Sequence, residues 1–327
     1  MIKSIDSIRD GVVYLREKGV QRGEDTGFKC LDELYSIKQG SFTIVQGAPT
    51  HGKSEFIFEM LLNQAFKYGK KSNVLSPETG TAEEIAMELI HKYLGKTAYS
   101  TNPYSCNEKE FFAALAWVNH HFAIADDQDK SYSFDGLTEA IDKFEKDNKT
   151  EYELVMAEPW NELDHKLSLV ANFGRQDLSI EDEMNSIRRY CKNRNKHIFL
   201  SFHPSFQELV HDKTTGIDYY KMPKAREAAG GQATLRKAFS WINIWRPPVG
   251  MVDPWTNEPY RENELQIQVE KSKPKGIGKK GITKVFLDWK KSRYYEELFG
   301  SNKYAFEHEA KFDIHNPMAG MSGNLGF

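Results

Sequence analysis

Between residues 41 and 202 the chain alternates two kinds of hydrophobic pattern. Short, nearly continuous apolar runs at 41–46, 72–76, 151–157 and 197–202 read as strands buried on both faces. Between them lie stretches whose apolar residues recur at steps of three and four. Residues 54–68 carry Phe56, Phe58, Leu61 and Leu62 in this way, and 81–93, 107–119 and 180–195 follow the same helical period. Strands alternating with helices predict a parallel sheet covered on both faces. After residue 240 the pattern changes. Runs at 240–246, 264–270 and 283–289, separated by Gly and Pro turns, are expected to extend the same sheet. The implied fold class is α/β, with a mostly parallel central sheet flanked by helices and later antiparallel strands.

The two ends break this rhythm. In 1–26, Ile5, Ile8, Val12 and Leu15 fall at helical spacing, and Gly19 and Gly23 close the pattern. This predicts a lead-in helix, serving as a leader or as an arm on a neighbour. The glycine, asparagine and proline of 308–327 predict a poorly ordered tail. The expected divisions are a lead-in at 1–26, a core at 27–300 and a tail at 301–327.

Composition adds limits. Hydrophobic residues make up 39% and charged residues 28%, as in ordinary globular chains. No apolar run is long enough to predict a membrane span, and the first residues lack the apolar core of a signal peptide. Cys30, Cys106 and Cys191 fit neither a disulfide framework nor a zinc pattern. The expected compartment is a reducing cytoplasm, that of the host if the chain is phage-encoded. A formal net charge of -3 argues against a uniformly basic nucleic-acid-binding domain but leaves room for basic loops on an inner surface.

One segment carries chemistry outright. Gly47-Ala48-Pro49-Thr50-His51-Gly52-Lys53-Ser54 fits G-x-x-x-x-G-K-[ST], with a predicted strand before it and a helix after it. In that setting backbone N–H groups and a helix N-terminus face phosphate. Lys53 reaches the β- and γ-phosphates of ATP, and the Ser54 hydroxyl ligates Mg²⁺. Three further predicted strands end in polar residues, where ligands of open α/β sheets gather. Glu78 is placed to orient an attacking water, although a turn glutamate or a helix N-terminal charge fits the position as well. Glu158 follows four apolar residues, the form of a buried strand delivering a carboxylate to Mg²⁺. A surface glutamate closing a strand is the plainer alternative. His203 is suited to hydrogen-bond a γ-phosphate or its attacking water, or to a purely structural role.

The order and spacing of Asp25-Thr26-Gly27-Phe28-Lys29-Cys30-Leu31-Asp32-Glu33-Leu34, the Lys53 loop, Ser76-Pro77-Glu78, Glu158-Pro159-Trp160-Asn161-Glu162-Leu163 and His203-Pro204 resembles the ring-forming replicative helicases of the DnaB/Twinkle type, especially phage-encoded forms. The resemblance covers most of the chain and implies a RecA-like core. It makes Glu78 the catalytic base, puts Glu158 on the metal-binding aspartate and makes His203 the γ-phosphate sensor coupled to DNA-binding loops. Gly230-Gly231-Gln232 resembles the segment in which a glutamine or a nearby polar residue relays nucleotide state. Lys271-Ser272-Lys273-Pro274-Lys275, followed by Gly278 and Gly281, resembles the hairpin whose lysine and arginine finger enter the neighbouring subunit's ATP site. Two registers fit, Lys271 with Lys273 or Lys273 with Lys275, and a solvated basic hairpin is the simpler reading of the same charges. The chain departs from the family at Glu158, at the lysine finger, at Phe239 where an aspartate is usual, and at Gly230-Gly231 in place of Gly-Ser. Lysine lacks the planar, bidentate phosphate contact of arginine.

By the same resemblance the assembly would be a hexameric ring travelling 5′ to 3′ on single-stranded DNA with the duplex excluded. Sequence-independent grip needs basic residues on mobile loops. Loop 205–229 offers Lys213, Lys221, Lys224 and Arg226 beside Thr214-Thr215-Gly216, and 166–176 offers Asn172 and Arg175; ordinary solvated loops are the alternative. No primase or zinc module precedes the core, so priming is expected from another protein, and the tail ending in Phe327 suits docking to a polymerase. Two other readings remain: a RecA-like ATPase for repair or recombination that does not unwind, and a nucleotide-binding ring with weakened catalysis.

Overall fold

The computed structural model describes residues 2–127, 131–165, 176–213, 216–228, 230–254 and 256–307. At the centre of its ten-stranded sheet lies β1 (Ser41–Gln46), paired in parallel with β5 (His197–Phe202) on one side and β8 (Ser240–Trp245) on the other. Beyond β5 come β4 (Leu154–Ala157), β2 (Ser72–Leu75) and β3 (Phe122–Ile124), all parallel. Beyond β8 the direction alternates through β9 (Glu264–Lys271), β10 (Gly281–Asp288), β11 (Arg293–Leu298) and β12 (Ser301–Tyr304). The expectation of a parallel core with later antiparallel strands agrees with this order. β1, β5 and β8 are buried along their whole length, which is why their sequences run apolar instead of alternating.

Two apolar layers cover the sheet. On one face pack α3 (Lys53–Tyr68), α4 (Ala82–Leu94) and α5 (Glu108–His121), through Phe56, Leu61, Ile85, Leu89 and Trp117. On the other lie α6 (Phe134–Asn148) and α7 (Gln176–Arg194), through Leu137, Ile141, Met184 and Ile187. Strand β1 serves both layers: Val45 belongs to the first, Phe42 and Ile44 to the second, as the two-residue period of a strand requires. Capping boxes at Thr81/Glu84 and Asn107/Glu110 fix where α4 and α5 begin. The remaining helices are α1 (Arg9–Lys18), α2 (Lys29–Asp32) and α8 (Gly231–Lys237).

Several elements exceed the sequence expectation. β3, β11, β12 and a separate small hairpin of β6 (Leu209–His211) and β7 (Asp218–Tyr220) carry too few apolar residues in period to stand out, whereas α6 was overlooked although Phe134, Leu137, Ile141 and Phe144 recur at helical steps. β12 continues the sheet past residue 300, and Phe306 beyond it is buried. At the other end α1 buries none of its residues, whereas the half-buried Asp25 is tied to α3. Asp25 accepts from Tyr68 Oη at 2.6 Å, pairs with Lys67, and its carbonyl accepts from Gln64 at 2.7 Å. Among the described residues no helix is long and apolar enough to cross a membrane.

Candidate nucleotide-binding site

Because β1, β2, β4, β5 and β8 run parallel, they deliver the glycine loop, Glu78, Glu158, His203 and Arg246 to one edge of the sheet. The loop leaves β1 with the Gly47 N–H donating to the Phe202 carbonyl at 3.2 Å and turns directly into α3. Gly52 has a φ of +85°, and a Cβ there would lie 2.5 Å from Tyr294 Oη, so no side chain fits. The first amides of α3 have no carbonyl partner one turn back in the helix, the donors that such a loop offers to a phosphate.

Lys53 is 3% exposed. Its Nζ donates to the Ala48 carbonyl at 3.3 Å and to His203 Nδ1 at 3.4 Å, while His203 Nε2–H donates to Glu78 Oε2 at 3.0 Å. An ammonium only donates, so Nδ1 is the acceptor and Nε2 carries the proton. The Asn161 side chain fixes the base of His203 by accepting its backbone N–H at 3.2 Å. Burial lowers the pKa of Lys53, opposed by the charges of Glu158 and Glu78.

Glu158 ends β4 almost wholly buried. Its Oε2 accepts from Ser76 Oγ at 3.1 Å, and Oε1 makes no hydrogen bond of good geometry. Burial pushes its carboxyl pKa up, opposed by the Ser54 hydroxyl, the Lys53 charge, and the hydroxyls of Ser201 and Ser76. A buried, underused carboxylate oxygen beside a serine hydroxyl is a hard oxygen pair that fits Mg²⁺. Among the described residues no group of three His, Cys, Asp or Glu side chains could hold a metal by itself.

Three further side chains, Arg246, Trp289 and Tyr294, were missed from sequence, and they close this edge around His51 of the glycine loop. His51 Nδ1 accepts from the Arg246 N–H at 3.4 Å. Burial, Lys53 and Arg246 together push the His51 pKa down to about 4, so its ring is neutral at pH 7. Arg246 follows β8 as the other polar residues follow their strands, and its guanidinium lies 5.3 Å from the centre of the Trp289 ring. Trp289, just after β10, is 59% exposed. Tyr294 Oη closes the loop at Gly52. An exposed indole with a guanidinium stacked on it is a platform for a flat aromatic group. Arg246 had a sequence signal, a polar residue closing a strand; its pairing with Trp289 had none.

The lysine hairpin lies elsewhere. β9 runs antiparallel to β8, so Lys271 pairs with Trp241 at the amino edge of the sheet, opposite the glycine loop. The intervening strand is about 20 Å long, so Lys273 and Lys275 do not approach the glycine loop of their own chain. Lys271 is tied down, donating to the carbonyls of Leu235 and, at 3.1 Å, Arg236 at the end of α8. Burial, with Lys273 and Arg188 nearby, lowers its pKa to about 8. Lys273 and Lys275 are exposed. The hairpin is seated by Gly278, where a Cβ would lie 2.2 Å from the Leu34 carbonyl, and by the Lys279 N–H, which donates to that carbonyl at 2.9 Å. Gln232 is exposed at the start of α8, with no hydrogen bond to the glycine loop among the described residues. Phe239 sits edge-on to Phe42 at 5.7 Å and beneath Arg188.

Lys213, Lys221, Lys224 and Arg226 are all exposed after His203, with Lys221 paired to Glu208 at 2.9 Å. Asn172, Arg175, Thr214, Thr215 and the tail at 308–327 lie outside the described residues.

No family model matches the chain. It is 30% identical over 209 residues to the Twinkle homolog protein, chloroplastic/mitochondrial, of Arabidopsis thaliana, an alignment covering 61% of this chain and 28% of that protein. The fold matches the ATPase domain of G40P with a TM-score of 0.69 at 16% identity, covering 91% of this chain and 100% of that one. It also matches a DnaB-like replicative helicase described in its interactions with primase, with a TM-score of 0.64 at 17% identity, covering 90% and 67%. The chain thus shares the fold of the G40P ATPase domain and of the DnaB-like helicase, and over 209 residues, little more than a quarter of that protein's length, its sequence is similar to the Twinkle homologue.

Proposed function

We propose that this domain hydrolyses Mg²⁺-bound ATP to drive a ring-shaped, hexameric DNA helicase 5′ to 3′ along single-stranded DNA. The observation that carries the reading is the chain Lys53–His203–Glu78, which joins the phosphate loop, the end of β5 and the end of β2 by hydrogen bonds of 3.4 and 3.0 Å. In it, Lys53 turns from the Ala48 carbonyl and His203 toward an incoming γ-phosphate. Glu78, released from His203, takes a proton from the attacking water, while His203 Nε2–H becomes free to donate to the phosphate. That exchange of partners at His203 is how the start of the loop at 205–229 senses the nucleotide. Ser54 and Glu158 would hold Mg²⁺, whose charge would offset the negative charge of the phosphates. Arg246 and Trp289 take the nucleotide's base. Lys273 and Lys275 serve a neighbouring subunit. The ATPase domain is taken as 27–300 with β12 added, and the DnaB-like match described with primase makes a separate primase a proposed partner, with a polymerase beside it. The host cytoplasm is the proposed compartment.

The test is ATP hydrolysis with and without single-stranded DNA, on the wild type, Lys53→Ala and Glu78→Gln. Hydrolysis is expected to rise with DNA, to vanish in Lys53→Ala, and to fall by about 100-fold or more in Glu78→Gln while nucleotide binding persists. Unwinding of a forked duplex that survives Lys53→Ala overturns the scheme. A wild type that binds ATP without hydrolysing it makes the chain a nucleotide-binding ring.

A further inference from the structure

A line of polar side chains crosses the buried sheet from the phosphate loop to the far loop. Gln46, the last residue of β1 before Gly47, accepts through Oε1 from Trp241 Nε1–H at 3.1 Å. The same indole N–H donates to Asn243 Oδ1 at 2.9 Å. Asn243 Nδ2 donates to Gln268 Oε1 at 3.0 Å and to Glu270 Oε2 at 2.8 Å. Glu270 Oε2 in turn accepts the backbone N–H of Ala225 at 2.8 Å. Gln46, Trp241 and Asn243 are fully buried. A polar line inside an apolar sheet is costly unless its members are paired, and each bond then fixes a geometry that apolar packing would leave loose.

The end of this line is what gives it a use. Ala225 opens the single turn Ala225–Glu227, which carries Arg226 and follows Lys224. The next residue along β9, Lys271, holds the carbonyls at the other end of the same segment, at Leu235 and Arg236. Two consecutive residues of one strand therefore grip 225–236 at both ends, and one of them, Glu270, is connected through Asn243 and Trp241 to the strand that becomes the phosphate loop.

We propose that Glu270 is a positioning residue that seats the basic turn Ala225–Glu227, so that the grip on single-stranded DNA depends on a side chain touching neither DNA nor nucleotide. This rests on the reading above that the loop at 205–229 faces DNA. The test compares Glu270→Ala with Glu270→Gln, whose amide oxygen still accepts. Binding of a fluorescent oligo-dT strand is read by anisotropy, and ATP hydrolysis is read without DNA. Glu270→Ala is expected to weaken DNA binding about tenfold while DNA-free hydrolysis stays within about twofold, and Glu270→Gln to stay within about threefold of the wild type in both. DNA binding unchanged in Glu270→Ala overturns the proposal, as does a Glu270→Gln no better than Glu270→Ala, or a parallel loss of DNA-free hydrolysis, which would mark a general structural role. Should Glu270→Ala not fold, Asn243→Ser removes the amide that orients the carboxylate. A weakening of about threefold then supports the proposal, and unchanged binding overturns it. A wild type that binds no oligo-dT overturns the DNA reading of the loop and this proposal with it, an outcome distinct from a wild type that binds and a Glu270→Ala that binds equally well.

Discussion

At the scale of the residue, the carboxyl edge sets similar side chains to different tasks by their surroundings. Glu158 is almost wholly buried and Glu78 half-exposed, so the first is suited to a metal and the second to a water that must enter and leave. Both were legible in the sequence, as was His203, because a polar residue ending an apolar run has its place decided by the strand it ends. The platform of Trp289 and Arg246 was not, since its two halves meet only because β8 and β10 both finish at the same edge with the antiparallel β9 between them. Stacking of a base on an aromatic ring contributes about 1–3 kcal/mol. Trp289→Ala is therefore expected to raise the KM for ATP about tenfold with little change in kcat, and to leave inhibition by inorganic tripolyphosphate unchanged, since that ligand has no base. Equal weakening toward ATP and tripolyphosphate would remove Trp289 from the base site.

At the scale of the element, the strands nearest the phosphate loop were legible because burial on both faces leaves an unbroken apolar run. β1 and β5 coincide with their predicted spans. The β6–β7 hairpin and β3 were not, as three-residue strands make contacts the sequence does not display as a pattern. The link from β4 to α7 has a chemical signature of its own. Trp160 lies flat on Phe202 at 4.7 Å, its carbonyl meets His165 Nε2 at 2.9 Å, and His165 Nδ1 reaches Glu183 of α7 at 2.9 Å. Burial lowers the pKa of His165, but the hydrogen bond and charge of Glu183 outweigh it and the net shift is upward. A histidine whose folded pKa is raised contributes stability that is fully present below its unfolded pKa of about 6.5 and is lost as pH climbs through the folded value. His165→Gln should therefore lower the Tm by about 2 °C more at pH 6 than at pH 9. An equal loss at the two pH values would mean that the Trp160 contact, and not the charged pair, holds this link.

At the scale of the whole molecule, the decisive fact is which edge of the sheet each group occupies. The sequence placed the lysine hairpin after a strand but could not give that strand's direction, and direction is what separates the exposed Lys273 and Lys275 from the phosphate loop of their own chain. Lys271, bound to the end of α8, is the least able of the three to reach outward, which favours the register of Lys273 with Lys275. On the proposed reading, in which the hairpin lysines serve a phosphate site, that site is completed only when one copy presents its hairpin to the loop of the next, the head-to-tail contact that closes into rings. Two defective variants should then repair each other. Lys53→Ala keeps its hairpin and loses its phosphate loop, and Lys273→Ala/Lys275→Ala does the reverse, so each alone is expected to be inactive. Mixed in equal amounts and allowed to exchange subunits, they should recover about a quarter of the wild-type hydrolysis, the share of interfaces that join an intact loop to an intact hairpin. Hydrolysis by the hairpin variant alone at the wild-type rate would show that the site is complete within one chain. A mixture as inactive as its parts, with ring assembly intact by size, would show that the hairpin lysines do not act across the interface.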